Sequence, residues 1–153
     1  MKPSPEQQDP DWSRYPETIL EFATTPAIGI DLRKVPSKDA IEGLKTAGFG
    51  QPFAIITAFD PRGENLSLAE NDKRTERLHA RLRSTNYRFV LVDCCSPDGS
   101  HCECSFAVVI PQDEALDLAR ELEQVAIFWC AGARFWILGA LAEADPLMLP
   151  RSS

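Results

Sequence analysis

The stretch DCCSPDGSHCECSF, residues 93–106, holds four of the five cysteines and one of the two histidines. Such a cluster could hold a metal ion, close a disulfide, or serve as small packing residues on a β-hairpin. With SPDGSH (96–101) as the loop, Cys95 faces Cys102, Asp93 faces Cys104, Leu91 faces Phe106 and Phe89 faces Val108. All eight then lie on one side of a sheet, because side chains alternate along a strand. Cys95, Cys102 and Cys104 could meet Asp93 or His101 around one ion. The spacing C-C-x6-C-x-C, however, is not the knuckle that wraps a tetrahedral zinc, and no second ligand pair lies elsewhere. An odd cysteine count rules out complete pairing, and reduced cysteine packs as a small hydrophobe. The expectation is inert packing, with no metal ligand set and no cofactor. Any metal question turns on Cys94, Cys95, Cys102, Cys104 and His101, and a disulfide is the least expected outcome.

A second group of residues is polar where its surroundings call for burial. Asn71 falls on the helical stripe of Leu68, Thr75, Leu78 and Leu82. Its amide must find partners, either in the loop 60–66 or in a ligand, since an unpaired buried amide costs about 1–3 kcal/mol. Glu103 and Ser105 lie on the hairpin face opposite the cysteines, near Cys94 and Val92. Gln124 ends a helix directly before a strand, and Asp60 and Asn65 sit in the loop after a strong strand. Asp60, Asn65, Asn71, Glu103, Ser105 and Gln124 are therefore the candidate ligand-binding residues. They are expected to share one polar cleft beside the start of helix 67–85, whose free N–H groups favour an anionic or amide-bearing ligand. Glu103 is the candidate acceptor or general acid-base, its pKa raised by burial. An ordinary ion pair with Arg88 is the alternative for Glu103. His79 reads as an exposed or half-buried helix residue. No Ser-His-Asp or Cys-His arrangement, G-x-G-x-x-G or P-loop is recognisable.

The elements that must position these residues follow from periodicity and punctuation. Residues 1–14, polar and proline-rich, read as a flexible arm, and ETILEFA (17–23) as a short amphipathic helix. AIGIDLR (27–33) alternates as a strand, and Ser37 caps a helix ended by Gly48. QPFAIITAFDP (51–61) is almost continuously apolar, as in a strand buried on both faces. Ser67 and Glu70 make a capping box for a helix to about Thr85. Strands 87–95 and 102–110, a helix opened by Pro111, and strands 125–131 and 133–141 around Gly132 complete the domain. The order from Phe53 onward predicts an α+β fold of ferredoxin-like split β-α-β type. It has a largely antiparallel sheet with helices on one face and an N-terminal strand-helix extension. The domain spans 15–145, and 146–153 reads as a frayed tail. Trp129, Phe135 and Trp136 make the last hairpin a candidate homodimer interface.

At 153 residues the chain is the size of one domain, and its composition (44% hydrophobic, 25% charged) is globular. A net charge of −7 argues against nucleic-acid binding, which needs a basic surface. Arg74, Arg77, Arg81 and Arg83 are the sole basic patch and read as a solvated helix face. No apolar run is long enough for a membrane span or a signal peptide, so the expected location is the cytoplasm.

The pieces ITAFDP (56–61), LSLAENDKRTERLHARL (66–82), SPDG (96–99), ECSFAVV (103–109) and LARELEQVAIFW (118–129) occur in an order and spacing that resembles a bacterial family, domain of unknown function family 3293. Where that pattern carries Asn-Pro this chain has Asp60-Pro61, and where it carries Glu-Glu-Ser-Phe this chain has Glu103-Cys104-Ser105-Phe106. The cysteines are not part of the pattern, and the resemblance supplies no activity. The expected function is a binding module for a small polar ligand or a partner protein. The alternative is a small enzyme with Glu103 as general acid-base.

Overall fold

A computed structural model describes residues 4–151. It contains a helical turn α1 (Pro5–Gln8), a 3-10 helix (Trp12–Glu17), β1 (Ile19–Phe22), β2 (Ile28–Asp31), α2 (Lys38–Thr46) and β3 (Phe53–Thr57). A short 3-10 turn (Pro61–Gly63), α3 (Leu68–Arg83), β4 (Phe89–Cys95), β5 (Cys102–Val108), α4 (Gln112–Glu121), β6 (Ala126–Ala131), β7 (Arg134–Gly139) and β8 (Leu147–Leu149) follow. The fold is α+β. All eight strands form one sheet in the order β2-β1-β4-β5-β3-β6-β7-β8, and every neighbouring pair is antiparallel. No helix among the described residues is long and apolar enough to cross a membrane.

The sheet separates two cores. On one face Leu78 and Leu82 of α3 and Ala115, Leu118 and Ala119 of α4 pack on Ile56, Phe106, Val108 and Ile127. On the other, Leu44 of α2 joins Leu20, Phe22, Phe53, Val92, Phe135 and Leu149, with Trp12 and Tyr15 packed against them. Helices thus cover both faces, because the N-terminal extension folds across the face that α3 and α4 leave open. β3 is central, and four of its five residues are buried, as its continuous apolar run requires.

Three segments differ from the sequence expectations. Residues 17–23 do not form a helix: Ile19–Phe22 is β1, hydrogen-bonded to β2 and β4 on its two sides. Burial there alternates, with Leu20 and Phe22 inward and Glu21 exposed, and two partner strands outweigh a helix too short to nucleate. Of the arm read over 1–14, the described part, residues 4–14, carries the helical turn Pro5–Gln8 and the start of the 3-10 helix Trp12–Glu17, with Asp9 buried and Trp12 against Tyr15 at a centroid distance of 5.4 Å. Residues 147–149, read as frayed, pair with β7 and bury Leu149. β8 therefore occupies the sheet edge beside the last hairpin, the candidate homodimer interface. Trp129 and Phe135 are buried and Trp136 packs half-buried on the α3/α4 core, so they do not offer an exposed aromatic face.

Candidate functional site

The β4–β5 hairpin has the register read from its sequence: Cys95 opposite Cys102, Asp93 opposite Cys104, Leu91 opposite Phe106. The tip is held by Asp98, whose Oδ1 accepts from Ser96 Oγ (2.7 Å), Ser100 N (3.0 Å) and Ser100 Oγ (2.7 Å). Those bonds hold its carboxyl down at about 2. Ser96 N–H donates to the His101 carbonyl at 2.8 Å, so the next pair inward, Cys95 and Cys102, is of the non-hydrogen-bonded kind, where side chains approach most closely. There the structure departs from the expectation of free thiols: Cys95 and Cys102 form a disulfide, with Cα atoms 4.1 Å apart. Cys94 and Cys130 are buried thiols, each pushed up to about 12 by desolvation. With Cys95 and Cys102 bonded and Cys94 on the opposite face, the thiol-based metal set does not assemble.

On the face away from the disulfide lies a cavity of about 740 Å³. Its floor is the sheet, with Ile55 and Thr57 of β3, Glu103 and Ser105 of β5, and Phe128 of β6. Its walls are the hairpin tip, the loop 59–65, and the N-terminal segment carrying Asp9 and Tyr15. Five of the six candidate residues line it: Asp60, Asn65, Glu103, Ser105 and Gln124. Ser105 is buried, Gln124 is buried and donates through Nε2 to the Phe59 carbonyl at 2.9 Å, and Asn65 is exposed at the mouth. Asn71, buried behind the wall, is tied to Asp60 instead. The Asp60 N–H donates to Asn71 Oδ1, and Asn71 Nδ2 donates to Asp60 Oδ1, both at 2.9 Å.

Glu103 faces His101, with Oε1 3.5 Å from the imidazole Nε2, rather than Arg88. Its carboxyl is raised above the usual range, first by burial and also by the negative charges of Asp60 and Asp9, while His101 works in the other direction. The N-terminal segment supplies what the sequence reading missed. Asp9 accepts a hydrogen bond from the Tyr15 hydroxyl, and burial beside that carboxylate raises the Tyr15 pKa. A signal was present: Trp12 and Tyr15 sit at the i, i+3 spacing that places side chains one above the other in a 3-10 helix. The wall closes where Gly63 meets residues 8 and 9. A Cβ on Gly63 would lie 2.7 Å from the Gln8 carbonyl, and its φ is +74°.

The start of α3 does not border the cavity, so the expected helix N–H donors are not there; the Ser67 hydroxyl instead accepts from the Glu70 N–H. The lining is acidic: Asp9, Asp11, Glu17, Asp60, Asp98 and Glu103 face Arg14 and His101. Arg14 is 78% exposed and leans on Asp11. Such a wall repels an anion, one of the two kinds of ligand expected from the sequence. Of the basic patch, Arg74 is consumed by the carbonyls of Ala58 and Leu122, and Arg81 by Glu121. Leu68, placed on the buried stripe of α3 by its spacing, is 69% exposed.

Fold and site together define a small α+β domain with an acidic cavity on the sheet face opposite its two longest helices. Residues 56–127 match the model of a family described as "Protein of unknown function (DUF3293)", and over that segment the chain resembles that family. The matched segment contains Asp60, Asn71, Glu103, Ser105 and Gln124. Neither a curated protein nor a solved structure matches the chain.

Proposed function

We propose that this chain is a binding module whose ligand is a small polar molecule bearing positive charge, held in the cavity between the N-terminal segment and the sheet. The observation that carries this reading is the charge of the lining, six carboxylates against Arg14 and His101. At an effective dielectric constant of about 20, a cation about 4 Å from one carboxylate gains about 4 kcal/mol before desolvation, so a cation is strongly preferred to an anion. Ser105, Thr57 and Gln124 add neutral polar groups that orient a ligand, and Ile55 and Phe128 provide an apolar floor, the usual make-up of a small-molecule site. The order β4-β5-β3-β6, with α3 and α4 on one face, supports reading the inner four strands as a ferredoxin-like core. The cavity lies on the face those helices leave free.

The test is a set of small primary amines, amidines and guanidines titrated against the protein in EDTA. At least one should bind, and Glu103→Gln should weaken it by about ten- to a hundredfold, the range for losing a charged hydrogen bond. Tight binding of anionic fragments instead would reject the reading.

A second reading, a small enzyme with Glu103 as general acid-base, is favoured by one observation: the raised carboxyl of Glu103. Under it, Glu103→Gln would keep the ligand bound and lose turnover.

A further inference from the structure

We propose that Asp60, His101 and Glu103 bind one divalent transition-metal ion on the wall of the cavity. One ligand atom from each residue lies within 4.8 Å of the other two. His101 Nε2 and Glu103 Oε1 are 3.5 Å apart. Two ligands bonded to an ion at about 2.1 Å and a tetrahedral angle stand about 3.4 Å apart, so this pair is already at coordination spacing.

Asp60 comes from the loop after β3 and His101 and Glu103 from the β4–β5 hairpin, and each is fixed by contacts outside the cluster. Asp60 Oδ1 accepts from Leu66 N–H and from Asn71 Nδ2, both at 2.9 Å, which orients the carboxylate and leaves Oδ2 for another partner. Outer partners of this kind hold metal-ligating carboxylates in place. His101 lies between the Asp98-centred tip and the Cys95–Cys102 bond, and its backbone N–H donates to Ser96 Oγ at 3.1 Å. Glu103 stands in the central part of the sheet, opposite Cys94.

Charge argues the same way. The carboxylates of Asp60 and Glu103 stand close together with Asp9 near them, and among the described residues no lysine or arginine forms an ion pair with either. Arg62, on the same loop as Asp60, is spent on Glu64 and Glu123. One imidazole with two carboxylates selects manganese, iron or zinc ions over magnesium or calcium, which favour all-oxygen sets. The remaining coordination positions face the cavity and would take water or a donor atom of a ligand. The inference deepens the reading of the cavity as a ligand site, since the metal would be one component of what it binds.

The experiment uses the full chain, stripped of metal, with Mn2+ as the probe and free Mn2+ followed by electron paramagnetic resonance. One Mn2+ per chain should bind saturably. His101→Gln and Glu103→Gln should each weaken it by about tenfold or more, since losing even an outer partner of a ligand costs about 10–100-fold. His101 is exposed at the hairpin tip, so its replacement leaves the core intact, and circular dichroism confirms folding of both variants. Asp93→Asn, on the same hairpin but facing the other side of the sheet, should leave binding unchanged. Absence of saturable Mn2+ binding, or equal weakening by Asp93→Asn, would overturn the inference. If amine fragments still bind in EDTA while Mn2+ does not, the metal site alone is rejected and the cavity reading stands.

Discussion

Asn71 and Asp60 hold each other by two hydrogen bonds of 2.9 Å, one to the backbone N–H of Asp60 and one to its carboxylate. The pairing resolves the polar residue on the buried stripe of α3: Asn71 does not line the cavity but fixes Asp60, which does. Asn71→Ala should therefore lower stability by about 1–3 kcal/mol, because it removes a buried amide and leaves the part-buried Asp60 N–H without its acceptor. Urea denaturation checks this, and an unchanged midpoint would mean that the loop 60–66 holds itself.

The disulfide is expected to show in a thiol count. Denatured without reductant, the chain should present three reactive thiols, Cys94, Cys104 and Cys130, and five after reduction. Five thiols before reduction would remove the clasp from beside His101.

Alkali should destabilise the fold through its buried thiols. Burial pushes the thiols of Cys94 and Cys130 up to about 12, against about 8.5 for exposed cysteine. A folded pKa above the unfolded one means that the stabilising contribution is complete below about pH 8.5 and is lost as pH rises toward 12. Thermal melts from pH 8 to 11 should show falling Tm, with a shallower fall for Cys130→Ala. An equal slope in that variant would assign the alkaline loss to other groups.

Gly63→Ala tests the closure of the cavity. The position has a positive φ and no room for a Cβ against the Gln8 carbonyl, so the variant should lose more than about 1 kcal/mol. Limited proteolysis should then cut first within residues 4–17. Wild-type resistance in the variant would show that the N-terminal segment does not depend on this contact.

Where sequence was legible, one geometric rule dominated. The hairpin register followed from alternation and a plausible loop, since a one-residue slip would turn Phe106 and Val108 away from their core. That register placed Glu103 and Ser105 on the cavity face. The buried continuity of β3 and the Ser67 cap were local signals of the same kind. What was not legible depends on distant partners. Leu149 is buried only because β7 offers an edge, and Ile19–Phe22 extends only because β2 and β4 flank it. Asp9 meets Tyr15 only six residues on, but that this segment folds against the sheet to wall the cavity depends on tertiary packing. The odd cysteine count argued against a complete framework, yet one bond needs only one close cross-strand pair.

The most direct test of the account is a backbone-amide NMR titration of the 15N-labelled chain with the best-binding amine or guanidine fragment. The expected result is a shift pattern centred on Asp60, Glu103, Ser105, Gln124 and Tyr15, saturating at one ligand per chain and needing about ten- to a hundredfold more ligand in Glu103→Gln. Shifts confined to surfaces away from these residues, or none at saturating ligand, would contradict the claim that this cavity is the binding site.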